Sequence, residues 1–230
     1  MWRPQYTVAI IGLIGAVISA LISGYFNYHK GTAKWENIAR ENNWIPKKEC
    51  PCPWEAYQSE GHDREGKRVK IKINVLSQEY RWKFARSDAF ELGGYDQDIR
   101  PHLRKLNFSN AKGIICVGTA SSEGKRVEEE FRALDRSDGL LVVFREEFKN
   151  LPKLYGLNLG QFMEKISNLS NILKTATQRR VILIEITDQE TEIDLENAVK
   201  NAMISAMRSE PPFPFNVLEY SKFSLYRARD

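Results

Sequence analysis

The sequence predicts an α/β fold, because strand-like and helix-like segments alternate along most of the chain. Residues 69–75 alternate between apolar and polar side chains, which is typical of a strand with one buried face. Continuous apolar runs at 113–118 and 181–186 are typical of central strands. Apolar residues at helical spacing across 126–148 and 191–207 predict two amphipathic helices. Alternating elements of this kind form layered α/β sandwiches.

Weaker signals complete the predicted order of elements. In chain order they are a continuation or resumption of the first strand at 80–84, a short helix at 96–106, a strand at 154–159, a helix at 162–174 and an edge strand at 223–226. The apolar residues that keep helical spacing in the long helix are Val127, Phe131, Leu134, Leu141 and Phe148. The last helix is expected to end before Pro211 and Pro212.

Composition excludes several classes of protein. The 230 residues include 34 basic and 30 acidic side chains, for a net charge of +4. This mild charge, with no stripe of Arg and Lys among aromatic residues, argues against a nucleic-acid binder. A hydrophobic fraction of 42% is enough for a core and argues against wholesale disorder.

The three cysteines predict neither a disulfide framework nor a metal centre. Cys50 and Cys52 flank a single proline, which is too tight for an ordinary bridge, and Cys116 lies in an apolar run. A zinc site would need two further ligands, and His62 is the one nearby residue of the right type. We expect no metal site, and we expect Cys116 to be a small buried hydrophobe.

The amino-terminal segment predicts a membrane helix. No charged residue occurs between Arg3 and Lys30, and residues 7–26 are almost entirely apolar or small. About 20 such residues span the hydrocarbon core of a bilayer. A cleaved signal peptide is the competing interpretation, but the apolar run is longer than an ordinary signal core. We therefore expect an uncleaved single-pass anchor at 1–30, embedded in the lipid bilayer.

Small residues recur every four positions in this segment, at Gly12, Ala16, Ala20 and Gly24. On a helix they would lie on one face and allow close packing against another helix. The pattern predicts a homo-oligomer or a membrane-protein partner; ordinary small-residue content of a bilayer helix is the alternative.

The positive charges next to the anchor give a weak indication of its orientation. Arg3 lies before the apolar run, whereas Lys30, Lys34 and Arg40 follow it. The positive-inside rule then favours a cytoplasmic carboxyl-terminal domain.

An enzyme is not expected. His29, His62 and His102 stand in no nucleophile motif, and the chain has no phosphate-binding loop or dinucleotide fingerprint. The acidic run Glu128-Glu129-Glu130 occupies consecutive helical positions that point apart. We predict no catalytic residue and no cofactor.

Four stretches of the chain carry a family resemblance. They are YRWKFARSDAFELGGYDQDIRPHLRKL (80–106), IICVGTASSEG (114–124), LYGLNLGQF (154–162) and TATQRRVILIEI (175–186), with Arg132-Ala133 and Arg136 on the intervening helix. This order resembles the OmpA-like, peptidoglycan-binding domain family. The resemblance implies a βαβαβ sandwich with a core at 80–187 and a periplasmic location at the inner membrane. The helix predicted at 191–207 is an extra carboxyl-terminal element outside that pattern.

The resemblance also implies a ligand and a site. Members of the family recognise the diaminopimelate of a peptidoglycan stem peptide, whose carboxylate suits an arginine fork. By the family pattern the ligand-binding positions are Thr119, Ser121, Glu129, Arg132 and Arg136, and either arginine could face the turn. Ser121 stands where the family has Asp, and Glu123, Glu128 or Glu129 could supply the missing charge.

Together these observations divide the chain into three parts and predict two alternative functions. The parts are an anchor at 1–30, a linker and entry region at 31–68 and an OmpA-like domain at 69–230. The first function is non-catalytic binding of peptidoglycan, which tethers the membrane to the cell wall. The alternative is a membrane-anchored protein scaffold that no longer binds peptidoglycan.

Overall fold

The computed structural model describes residues 54–76, 80–83, 86–92, 95–148, 153–163, 176–209, 213 and 215–228. Its strands are β1 (Trp54–His62), β2 (Arg68–Leu76), β3 (Tyr80–Trp82), β4 (Phe90–Leu92), β5 (Tyr95–Gln97), β6 (Gly113–Ala120), β7 (Lys153–Gln161), β8 (Ile182–Gln189) and β9 (Ser224–Arg227). Its α-helices are α1 (Arg100–Leu103), α2 (Arg126–Glu147) and α3 (Leu195–Ala206).

Six of these strands form one mixed sheet in the order β1-β2-β8-β6-β7-β9. Neighbouring strands are antiparallel, apart from β6 and β7, which are parallel. The long helix α2 connects β6 to β7, as a parallel pair requires. Strands β3, β4 and β5 form a separate three-stranded sheet. The mixed α/β class is therefore as predicted.

Both faces of the large sheet are covered by helices. On one face, Ile73, Ile115 and Ile184 belong to a core with Val199 and Met203 of α3. On the other face a second core contains strand residues Ile114, Cys116 and Leu183 and helix residues Leu140 and Phe144 of α2. Because both faces are buried, the central strands need the continuous apolar runs seen in the sequence. Cys116 is fully buried, as predicted.

Most of the strong periodic signals correspond to observed elements. The strands predicted at 69–75, 113–118, 154–159 and 181–186 are β2, β6, β7 and β8, and the predicted edge strand is β9. The long helix is α2, but its predicted apolar stripe is only partly buried. Val127 and Phe131 are 65% and 63% exposed, whereas Ala133, Leu140 and Phe144 face the sheet.

Three boundaries differ from the predicted ones for local reasons. The helix expected at 96–106 shrinks to four residues, because β5 takes Tyr95–Gln97 and Pro101 stands at the helix start. Helix α3 begins at Leu195, since the Asp194 side chain accepts a hydrogen bond from the backbone N–H of Asn197 and caps it. Strand β3 pairs with β4 and does not extend β2.

One strand of the large sheet was not predicted at all. Strand β1 lies within the stretch interpreted as a linker, and it pairs with β2 along all nine of its residues. Its exposed residues alternate with partly buried Tyr57 and Ser59, so little apolar signal marks it. The helix predicted at 162–174 lies almost entirely outside the described residues.

Candidate functional site

The predicted ligand turn lies where the two parallel strands end. Ala120, the last residue of β6, pairs with Gln161 at the end of β7, and the Phe162 N–H donates to the Ala120 carbonyl at 2.9 Å. In open α/β sheets, ligands bind beyond the carboxyl ends of parallel strands. The fold thus places the turn at 118–124 in a position that suits a ligand site.

Gly118 determines how closely α2 approaches this strand end. A Cβ atom at Gly118 would lie 1.8 Å from the carbonyl oxygen of Ala133. The strand and the helix therefore touch backbone to backbone, which only a residue without a side chain permits. This contact brings Arg136, one helical turn after Ala133, against the end of β6.

Arg136 is a buried residue whose guanidinium binds backbone carbonyls. It is 1% exposed. Its Nη1 donates to the Thr119 carbonyl at 2.6 Å, its Nε to the Arg86 carbonyl at 3.0 Å and its Nη2 to the Lys83 carbonyl at 3.1 Å. The same guanidinium lies 5.6 Å above the ring of Trp82. Arg136 therefore joins α2, the end of β6 and the segment after β3.

The electrostatic surroundings of Arg136 are unfavourable for its charge. Burial, and next the nearby Arg179 guanidinium, lower the pKa of Arg136 from its ordinary value, while Glu129 acts in the opposite direction. Arg179 is equally buried and donates to the Trp82 carbonyl at 2.8 Å. Carbonyl dipoles thus solvate both cations in place of water.

Thr119 and Ser121 are both buried, and their hydroxyl groups already have acceptors. The Thr119 hydroxyl donates to the Arg180 carbonyl at 3.4 Å. The Ser121 hydroxyl donates to the Glu123 carboxylate at 2.8 Å. Among the residues that the structure describes, Ser121 hydrogen-bonds to neither Arg132 nor Arg136.

Glu129 and Arg132 form an ion pair beneath the turn. Their side chains are 5% and 25% exposed. A Cβ atom at Gly124 would lie 2.1 Å from Glu129 Oε1, so the absence of a side chain there makes room for the carboxylate. Of the three acids considered from the sequence, Glu129 meets Arg132, Glu123 meets Ser121, and Glu128 lies 3.6 Å from Lys125.

The site residues therefore separate into three groups. Arg136 meets Thr119 through the backbone, Glu129 meets Arg132, and Ser121 meets Glu123. Arg132 and Arg136 are four residues apart, but Arg136 points into the core and Arg132 reaches partly into solvent. The arrangement offers one buried carboxylate paired with a partly exposed cation, Glu129 with Arg132, and one fully enclosed cation, Arg136.

The structure adds polar residues that the sequence did not single out. The Gln178 side-chain oxygen accepts from the Ser122 N–H at 3.0 Å, and the Gln178 backbone carbonyl accepts from the Tyr220 hydroxyl at 2.9 Å. The Gln161 side chain donates to the Gly124 carbonyl at 2.8 Å. Gln161 and Gln178 both lie in the stretches that carry the family resemblance, whereas no sequence signal marked Tyr220.

The described residues contain no cluster of three His, Cys, Asp or Glu side chains that could hold a metal ion. His102 lies in α1, where its carbonyl accepts from the Trp54 indole at 3.0 Å. Burial lowers the pKa of His102, which favours the neutral imidazole.

Several predicted features fall outside the described residues. They are the anchor with Gly12, Ala16, Ala20 and Gly24, and the pair Cys50 and Cys52. In the described ranges no helix has both the length and the apolar character needed to cross a bilayer. A scan of the chain against protein-family models found no match, and a search of curated proteins found no similar sequence.

Proposed function

We propose that this chain is a non-catalytic, membrane-anchored scaffold protein whose α/β domain is a divergent OmpA-like domain that no longer grips a peptidoglycan ligand. In this proposal residues 1–30 anchor it in the inner membrane, and the domain forms part of a membrane protein complex. No cofactor and no nucleic acid takes part.

The order of elements supports the family part of the proposal. Strand β2, helix α1, strand β6, helix α2 and strand β7 occur in this order along the chain, with the small sheet of β3, β4 and β5 between β2 and α1. This is the βαβαβ order that the resemblance implies. The first strand of this order is β2, however, whereas the resemblance assigned the first strand to the segment at 80–84.

The single observation that carries the scaffold function is the environment of Arg136. In a stem-peptide site this arginine would offer a two-pronged fork to a carboxylate. Here three backbone carbonyls accept from its Nε, Nη1 and Nη2, and the side chain is 1% exposed. A ligand carboxylate would have to break these bonds and open the core, which costs several kcal/mol.

Binding of peptidoglycan remains a second candidate because of Glu129 and Arg132. The two side chains already form an ion pair under the turn, and Arg132 is partly exposed. A zwitterion presents one amine and one carboxylate, so it could exchange with this pair, amine to Glu129 and carboxylate to Arg132. In that case the ligand carboxylate would bind Arg132, one helical turn before Arg136.

A pull-down with purified muropeptides and detergent-solubilised full-length protein distinguishes the two functions. The scaffold function predicts no retention above background by the wild type. Retention that falls at least tenfold in Arg132→Ala, but not in the exposed control Arg126→Ala, would establish the second candidate. If the protein is a scaffold, crosslinking in native membranes should also yield adducts with other proteins.

A further inference from the structure

Strand β1 is one edge of the large sheet, and its outward-facing groups follow from the pattern of hydrogen bonds. The Arg68 carbonyl accepts from the Glu190 N–H, and the Leu76 N–H donates to the Val181 carbonyl. Even-numbered residues of β2 therefore face β8, and odd-numbered ones face β1. Because His62 is opposite Arg68 and Trp54 is opposite Leu76, the even-numbered residues of β1 face away from the sheet.

Most of this edge is open to solvent. Among the outward-facing residues, Ala56, Gln58 and Glu60 are exposed. The edge closes at His62, whose carbonyl accepts a 2.7 Å hydrogen bond from the Asn201 side chain of α3. No strand within the described residues pairs with the outer side of β1. Unpaired N–H and carbonyl groups along an edge are a template for another strand.

The opposite edge of the sheet differs in this respect. Strand β9 has four residues, and its outward-facing Leu225 N–H donates to the Glu196 carboxylate at 2.8 Å. A charged side chain that caps an edge in this way blocks the addition of a further strand. The long edge at β1 carries no such carboxylate among the described residues.

From these observations we propose that two copies of this chain associate through antiparallel pairing of β1 with β1, with Tyr57 on the two-fold axis. In this register Trp54 pairs with Glu60 of the second copy, and Ala56 pairs with Gln58 of the second copy. The four outward-facing residues, buried Trp54 and exposed Ala56, Gln58 and Glu60, then exchange hydrogen bonds across the axis. Centring the axis on Gln58 would instead place Trp54 opposite the capped His62.

The charges of β1 are compatible with pairing to itself. Its two acidic residues are Glu55 and Glu60. In the Tyr57-centred register Glu55 is opposite Ser59, and Glu60 is opposite Trp54, so like charges do not face each other. Opposed like charges would destabilise such a pair. Helix α3 packs on Gly61 and Ser59, which lie on one side of Tyr57, so the two copies of α3 lie over different halves of the paired strands.

Disulfide trapping tests both the pairing and its register. Full-length protein in detergent, with Cys50→Ser and Cys52→Ser, receives either Tyr57→Cys or Gln58→Cys. Residues facing each other at a non-hydrogen-bonded position have Cα atoms about 4.5 Å apart, within disulfide range. Two copies of residue 58 would be about 8 Å apart, outside it. We expect a disulfide dimer with Tyr57→Cys in at least tenfold higher yield than with Gln58→Cys.

A proline variant tests the hydrogen bonds without disturbing the fold. The Gln58 N–H faces outward, so Gln58→Pro removes a donor that β2 does not use. In the Tyr57→Cys background it should reduce the dimer at least tenfold, whereas Arg227→Pro on the outward side of β9 should not. Equal trapping at positions 57 and 58, as association through the anchor alone would give, overturns the proposal. So does a monomeric Tyr57→Cys protein, or a dimer that tolerates Gln58→Pro. None of these outcomes depends on whether the turn binds a ligand.

Discussion

The guanidinium of Arg136 donates a 2.6 Å hydrogen bond to the backbone carbonyl of Thr119 and thereby ties α2 to the carboxyl end of β6. Two further bonds, to the carbonyls of Lys83 and Arg86, extend this tie to the segment after β3. The residue that the family resemblance assigns to the ligand is thus also an internal crosslink of the domain. That dual position leads to the first prediction.

Replacing Arg136 should destabilise the domain strongly. Arg136→Ala removes a donor from three carbonyls, of which the Lys83 carbonyl keeps the Arg86 N–H, and each buried group left unsatisfied costs about 1–3 kcal/mol. We expect the free energy of unfolding to fall by about 3 kcal/mol or more, measured by urea denaturation. The control is Arg126→Ala, whose side chain is 66% exposed and pairs with Glu130, and it should cost under about 1 kcal/mol. Equal losses in the two variants would show that Arg136 is not a structural crosslink.

The contact between β6 and α2 gives a second prediction, at Gly118. The Cβ of Gly118→Ala would meet the Ala133 carbonyl at 1.8 Å, and neither backbone can yield without separating the strand from the helix. Overpacking of this kind costs about 1–3 kcal/mol or more. We expect a lowered melting temperature or insoluble protein. On the same strand, Gly113→Ala should be milder, because its nearest neighbour is the movable Ile186 Cδ1 atom at 3.0 Å.

The fold could be predicted wherever one signal dominated the local sequence. Buried central strands require continuous apolar runs, so β6 and β8 were evident. Strand β1 was not evident, because it is an edge strand and most of its polar residues are exposed to solvent. Helix α2 was evident, but its buried side was not. The buried residues include polar Glu129 and Arg136, so the face toward the sheet is not marked by apolar residues alone.

The positions of Thr119, Ser121 and Arg136 in the fold could be predicted, but their contacts could not. Residue types at family spacing put the first two at the turn after β6 and Arg136 on the helix that follows. The sequence contains no sign that Arg136 binds backbone carbonyls of distant residues, because a carbonyl is present at every position. Likewise, the pairing of Glu129 with Arg132 depends on space that Gly124 provides, which only the folded chain reveals.

Glu130 provides a prediction about pH. The hydrogen bond from Arg126 lowers the pKa of Glu130, burial acts against it, and the bond from Ser221 lowers it further. Since the folded pKa lies below the ordinary value of 4.5, the carboxylate stabilises the fold above that pH. The contribution is lost as the pH falls through the folded pKa. We expect Glu130→Gln to cost about 0.5–1 kcal/mol at pH 7 and progressively less towards pH 3.

Urea denaturation of both proteins across this pH range measures the effect. The matched control is Glu128→Gln, because Glu128 is 60% exposed and lies 3.6 Å from Lys125. The control should differ from the wild type by less than about 0.5 kcal/mol at every pH. A constant difference between Glu130→Gln and the wild type would mean that the carboxylate charge is not what stabilises the fold.

The final prediction concerns the side of the membrane on which the domain lies. We expect a membrane-impermeant maleimide to label Cys50 and Cys52 in intact, outer-membrane-permeable cells, because the family resemblance implies a periplasmic domain. Cys116 should not react, since it is fully buried and burial raises the pKa of its thiol. The Cys50→Ser, Cys52→Ser variant should therefore remain unlabelled. Labelling only after the inner membrane is opened would agree instead with the positive charges of Lys30, Lys34 and Arg40. That outcome would exclude contact with the cell wall, while a scaffold on the cytoplasmic side would still be consistent with it.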